Sequence, residues 1–131
     1  MPLRFLSLAE ALAMHQDQIV RYGGEAGVRE LDLLKSALAM PAATCGGVFL
    51  HTDLFEMAAA YLFHLVQHHP FVEDNKRVGA VSAVVFLALN GYDFDAPTGA
   101  LHDFVLALAS GEKTKAESAL FLRKHSHPNE S

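Results

Sequence analysis

Two stretches, Asp53–His68 (DLFEMAAAYLFHLVQH) and Asn75–Asn90 (NKRVGAVSAVVFLALN), are apolar on nearly every side of a helix. A helix without a polar face cannot lie on a surface, so other elements must cover both. Between them stands a short polar turn, and together with its flanks it reads HHPFVEDNKR over residues 68–77. Pro70 disfavours the α conformation at the residue before it, which ends the first helix by about His68. The centre of the fold is therefore a pair of buried helices joined by a turn of unusually dense chemistry.

The remaining segments supply the cover. Ser7 and Glu10 form a capping-box pattern, and Leu8, Leu12, Ile19 and Val20 then give a partly apolar helix that Tyr22-Gly23-Gly24 stops. A polar connection, Glu25 to Arg29, leads to a short helix with Leu31, Leu34 and Leu38 at helical spacing and Pro41 beyond its end. Residues 41–52 (PAATCGGVFLHT) do not fit a helix, and adjacent glycines between β-prone pieces predict a hairpin flap. Thr52 is the expected N-cap of the first buried helix, and Gly91 closes the second. Further helices are expected over about Thr98–Ser110 and Lys115–His125, with the tail HSHPNES frayed. The fold class is all-α: a bundle of about six helices with one small β-hairpin, in a single domain over residues 1–131 whose core spans about 8–125.

Composition excludes several functions. The chain has 131 residues, 51% of them hydrophobic, enough for one real core and too many for disorder. Its longest apolar run, Ala80–Leu89, contains Ser82 and is too short to span a bilayer. The opening MPLRFLSLAEALA resembles a signal peptide only superficially, since Ser7 and Glu10 break it, and a cytoplasmic location is expected. The single cysteine, Cys45, agrees with a reducing compartment. With a net charge of −5 and no Lys/Arg block, direct nucleic-acid binding is not expected.

The turn invites a specific chemistry. His69 stands just past a helix end on a rigid His-Pro-Phe connection, with Phe71 expected to anchor in the core. The next helix exposes unpaired amides at its start, and such a terminus attracts phosphate. Lys76 and Arg77 in its first turn oppose the helix dipole unless an anion sits there. A structural alternative is that Asp74 or Asn75 caps the helix while Glu73 pairs with Lys76 or Arg77.

The order of residues favours the first reading. HPFVEDNKR resembles the signature of the Fic superfamily, His-Pro-Phe-x-(Asp/Glu)-Gly-Asn-(Gly/Lys)-Arg, at His69, Pro70, Phe71, Glu73, Asn75 and Arg77. Lys76 is similar to the death-on-curing (Doc) branch, as are RYGGEAGVRELDLLKSALAMPAATCGG before the signature and VVFLALNGYDF after it. The resemblance implies a toxin of a bacterial toxin–antitoxin pair that moves the γ-phosphate of ATP to a Ser/Thr hydroxyl of a target protein, such as a translation elongation factor. On this reading His69 is the catalytic base, Glu73 holds Mg²⁺, and Asn75, Lys76 and Arg77 bind the nucleotide. The flap at Cys45–Leu50 would hold the target by strand addition. AMP transfer to a protein hydroxyl and a catalytically weak binding protein are the alternatives.

Asp74 departs from the signature, where glycine is usual, and either caps the helix or narrows the phosphate cradle. The inhibitory pattern of many Fic proteins, (Ser/Thr)-x-x-x-Glu-(Gly/Asn), has no match; Thr52-x-x-x-Glu56 comes closest but Met57 follows. Restraint is therefore expected from a separate antitoxin, Phd-like, whose helix docks in a groove beside the first helices. His64 and His68 are spaced like a zinc pair, but packed histidines are the simpler reading. Met14, Met40 and Met57 fill core gaps, Gly23, Gly24 and Gly27 make turns, and Arg29 is expected in a salt bridge near the second helix.

Overall fold

The computed structural model describes residues 3–129, so expectations for the first two and last two residues lie outside it. Six α-helices dominate: α1 (Leu8–Tyr22), α2 (Leu31–Ala39), α3 (Leu54–His68), α4 (Asn75–Leu89), α5 (Ala100–Ala109) and α6 (Lys115–Lys124). The expected hairpin is present as β1 (Thr44–Cys45) and β2 (Val48–Phe49), turning at Gly46-Gly47 with both glycines at positive φ.

The two apolar stretches occupy the centre, as their lack of a polar face requires. Along α3, Ala58, Ala59, Ala60, Tyr61, Leu62 and Leu65 are wholly buried, and α3 packs against α2, α4 and α6. Gly79 sets how closely α4 approaches it. A Cβ there would meet the Leu62 carbonyl oxygen at 3.2 Å and Val66 Cγ2 at 3.1 Å, so a bare Cα lets the backbones pack nearly in contact. The Tyr61 hydroxyl, buried in this core, accepts from the backbone N–H of Leu6 at 2.8 Å, and burial pushes its pKa up to about 12. That bond pins the segment preceding α1 to the bundle. Among the described residues no helix is long and apolar enough to cross a membrane.

Two boundaries and one terminus correct the sequence reading. Asp53, not Thr52, is the N-cap of α3, accepting from the Glu56 N–H; the Thr52 hydroxyl bonds the Glu56 carboxylate instead at 2.6 Å. α5 starts two residues later than expected because Gly99, at φ 85°, is its N-cap. The tail does not fray over its described part. Ser126–Pro128 forms β4, antiparallel to β3 (Tyr92–Phe94), so the fold carries a second small sheet beside the flap. Strands of three residues carry too little periodicity to be read from sequence.

Candidate functional site

Nearly every main-chain carbonyl in the turn between α3 and α4 has a partner. α3 ends at His68, and His69 follows in the left-handed region (φ 48°, ψ 52°). The Arg29 guanidinium donates to the His68 carbonyl (3.0 Å) and the His69 carbonyl (2.8 Å). The Pro70 carbonyl accepts from the N–H groups of Arg29 (2.8 Å) and Glu30 (3.0 Å), and the Val72 N–H donates to Gly27. Asn75 closes the next step: its side-chain oxygen accepts from the Phe71 N–H at 2.9 Å and its NH₂ donates to the Phe71 carbonyl at 3.0 Å. His15 Nε2 lies 3.0 Å from the Glu73 carbonyl, and because a carbonyl only accepts, that nitrogen carries the proton. The His15 ring also stacks on Phe71 at 4.0 Å between centroids, and Phe71 is anchored in the core as its sequence position suggests.

Beside the turn lies one cleft of about 670 Å³. The turn contributes His69, Glu73, Asp74, Asn75, Lys76 and Arg77 to its lining. Gln18 and Tyr22 of α1 face them, and Ala80, Val81, Leu101, Val105 and Leu106 add an apolar wall with His102. His69, Glu73, Lys76 and Arg77 are all exposed there. No side chain caps α4, so its first amides face the cleft without the usual internal acceptor. Glu73 suits a cation that takes few protein carboxylates and completes its shell with phosphate and water, which is the habit of Mg²⁺.

The sequence model of the Fic/DOC family matches residues 5–87, a span that includes α1, the flap and all but the end of α4. The chain belongs to the Fic/DOC family. It is similar to the protein named Protein kinase doc of Escherichia phage P1, 34% identical over 123 residues that make up 93% of this chain and 95% of that protein. It is also similar to Toxin Doc of Mycolicibacterium smegmatis, 41% identical over 80 residues, 58% of this chain and 62% of that protein. These relatives put it in the Doc branch.

The family's signature glycine now has a physical reason. Asp74 sits at φ 67°, ψ 25°, in the left-handed region that glycine enters without cost and Asp or Asn enters at about 1 kcal/mol. The capping alternative for Asp74 does not hold: it is the N-cap by position, but its side chain makes no capping bond. Instead its Oδ1 accepts from Arg77 Nη1 at 2.9 Å, while Oδ2 is buried without a partner. Arg77 also lies over the Tyr22 ring, 5.0 Å from its centroid. Glu73 pairs with neither cation; it packs with Asp74 against Gly24, where a Cβ would come within 2.9 Å of Glu73 Oε2 and 3.0 Å of Asp74 Oδ2.

Several side chains take other places. Arg29 makes no salt bridge among the described residues; it bonds carbonyls at the end of α3. His64 points away from the cleft, its Nε2 accepting from Lys115 Nζ at 2.9 Å, and burial with the nearby ammonium pushes its pKa down to about 4. His64 and His68 gather no third ligand, since among the described residues no three His, Cys, Asp or Glu side chains converge on a metal position. A second, smaller cleft of about 320 Å³ lies beside this cluster, lined by His51, Glu56 and Lys115. Glu56, the nearest thing to an inhibitory glutamate, lines this second cleft and not the one lined by Arg77. Gln18, Tyr22 and His102 escaped the sequence reading. They come from helices remote in sequence and belong to no local motif.

Proposed function

We propose that the chain is a Doc-type toxin that transfers the γ-phosphate of ATP to a Ser/Thr hydroxyl of a target protein in the cytoplasm and so arrests growth, a translation elongation factor being the target class. The observation that carries this reading is the convergence of His69, Glu73, Lys76 and Arg77 on one cleft around an uncapped helix start. His69 takes the proton from the attacking hydroxyl, whose oxygen forms the new P–O bond as the bond to the ADP oxygen breaks. Lys76, Arg77 and the first amides of α4 hold phosphate oxygens, with Asn75 keeping those amides aimed through its grip on Phe71. Glu73 holds Mg²⁺, which offsets charge on the phosphates when bound.

Kinase chemistry is favoured over AMP transfer by Lys76 and by likeness across 95% of a relative named a protein kinase. Tyr22, Val72 and Leu106, exposed around the cleft, and Leu12 and Val20 on α1 support docking of an apolar helix from a Phd-like antitoxin. The Asp74–Arg77 pair supports a second reading, a Fic-fold binding protein of weak activity, because it occupies a phosphate ligand with an internal carboxylate. Bacterial lysate incubated with ATP labelled at the α- or γ-phosphate tests all three, with His69→Ala alongside. The kinase reading expects γ-label only, in a protein band that His69→Ala loses. His69-dependent α-label would mean AMP transfer, and the absence of any His69-dependent label would leave the binding protein.

A further inference from the structure

We propose that Arg29 is the positioning residue for His69, holding the two peptide planes on either side of its Cα. This builds on the reading of His69 as the base. His69 immediately precedes Pro70, and a residue before proline ordinarily settles in the extended region. Its observed conformation, φ 48° and ψ 52°, is instead left-handed, which a residue with a Cβ rarely holds unaided. Something outside the turn must impose it.

The two bonds from Arg29 are placed to do this. The His68 carbonyl belongs to the peptide plane before the His69 Cα, and the His69 carbonyl to the plane after it. Arg29 Nη2 holds the first at 3.0 Å and Nε the second at 2.8 Å, so φ and ψ of His69 are both restrained by one rigid fork. The fork is itself anchored, because the N–H groups of Arg29 and Glu30 both donate to Pro70. Among the described residues no carboxylate pairs with the guanidinium, and its charge suits the carbonyl end of α3. Without these bonds His69 is free to swing toward the extended conformation, carrying its imidazole from the cleft while Glu73 and Asn75 stay where His15 and Phe71 hold them.

Two measurements on the full chain test this, with Arg29→Ala and Arg29→Lys. Backbone ¹³C shifts of His69 report its conformation whether or not the protein turns over. They should move from left-handed to extended values in Arg29→Ala, with Phe71 and Asn75 unchanged; left-handed shifts retained in that variant would overturn the proposal. In phosphotransfer assays the rate constant kcat should fall by about 100-fold in Arg29→Ala with KM for ATP unchanged, the effect of a misplaced catalytic group. Arg29→Lys should resemble Arg29→Ala, because an ammonium cannot span both carbonyls in a fixed fork, and added methylguanidine should recover part of the Arg29→Ala rate. A rise in KM together with a fall in melting temperature, or full activity in Arg29→Lys, would reduce Arg29 to general support and overturn the proposal. If the wild-type chain transferred neither label, the functional reading would fail while the His69 shifts still decided the conformational claim.

Discussion

The histidines on and beside α3 fall into two arrangements of opposite design. At the helix's C-terminal end His69 stands exposed on a turn whose carbonyls are bonded by Arg29, Asn75, His15 and the amides of the 27–30 segment. One turn earlier, His64 is bonded through its own side chain to Lys115, and ring nitrogens of His51, His64 and His68 are buried without partners. In the first case the protein satisfies the main chain and leaves the side chain free. In the second it commits the side chain and leaves ring nitrogens unmet. Polar density next to a core does not by itself mark a site; which atoms remain available does.

The sharpest way to break this comparison is to exchange the roles of the two histidines. His69→Ala should reduce transfer by about 10³-fold, the usual range for removing a general base, with thermal unfolding little changed because the ring is exposed. His64→Gln, which keeps an acceptor for Lys115, should leave transfer intact. Equal losses from the two variants would erase the distinction.

The next effect is on stability and pH. His64 titrates near 6.5 when unfolded and at about 4 when folded, so between these values the unfolded chain binds more protons. Its contribution is present above about pH 6.5 and is lost as pH falls toward 4. His51, whose pKa burial also lowers, adds in the same direction. For a half-buried ring partly screened by solvent, the loss attributable to His64 is about 1–2 kcal/mol. Urea unfolding at pH 7.5 and pH 5 measures it, and His64→Gln should flatten the difference; an unchanged pH dependence would remove His64 as its source.

A smaller effect lies at the seam that holds both clusters in place. Gly79→Ala gains helix propensity but pushes a methyl against the Leu62 carbonyl, and a backbone atom cannot yield as a side chain can. Net destabilisation of about 1 kcal/mol is expected in urea unfolding, and increased stability would show that α4 can shift away from α3. Smallest is Asp74→Gly, which relieves a left-handed aspartate and frees Arg77. Because the Asp74–Arg77 pair is partly exposed, the gain in nucleotide affinity should be worth about 0.2–1 kcal/mol, read as a fall in KM for ATP. A rise in KM would mean that Asp74 assists binding.

Much of this was open to sequence reasoning because it depends on local rules. The Ser7–Glu10 capping box, the stop at Gly23, the Gly46-Gly47 hairpin and both central helices follow from capping, turn chemistry and the absence of a polar face. The signature HPFVEDNKR likewise placed His69, Glu73, Lys76 and Arg77 together, since a turn of this length keeps its residues close, but Asn75, expected to bind the nucleotide, is buried with its side chain bonded to Phe71. The sequence also flagged Asp74 as out of pattern, but not the conformation that makes it so.

Tertiary structure alone decided how the turn is held and what completes the cleft. Arg29 meets His69 across forty positions and His15 meets Glu73 across fifty-eight, distances over which no periodicity carries information. The β3–β4 pair, the withdrawal of His64 toward Lys115, and the cleft walls from α1 and α5 have the same origin. Local sequence sets which residues stand at a helix end. Packing of distant segments sets which of their polar atoms are already bonded, and therefore which are left to act.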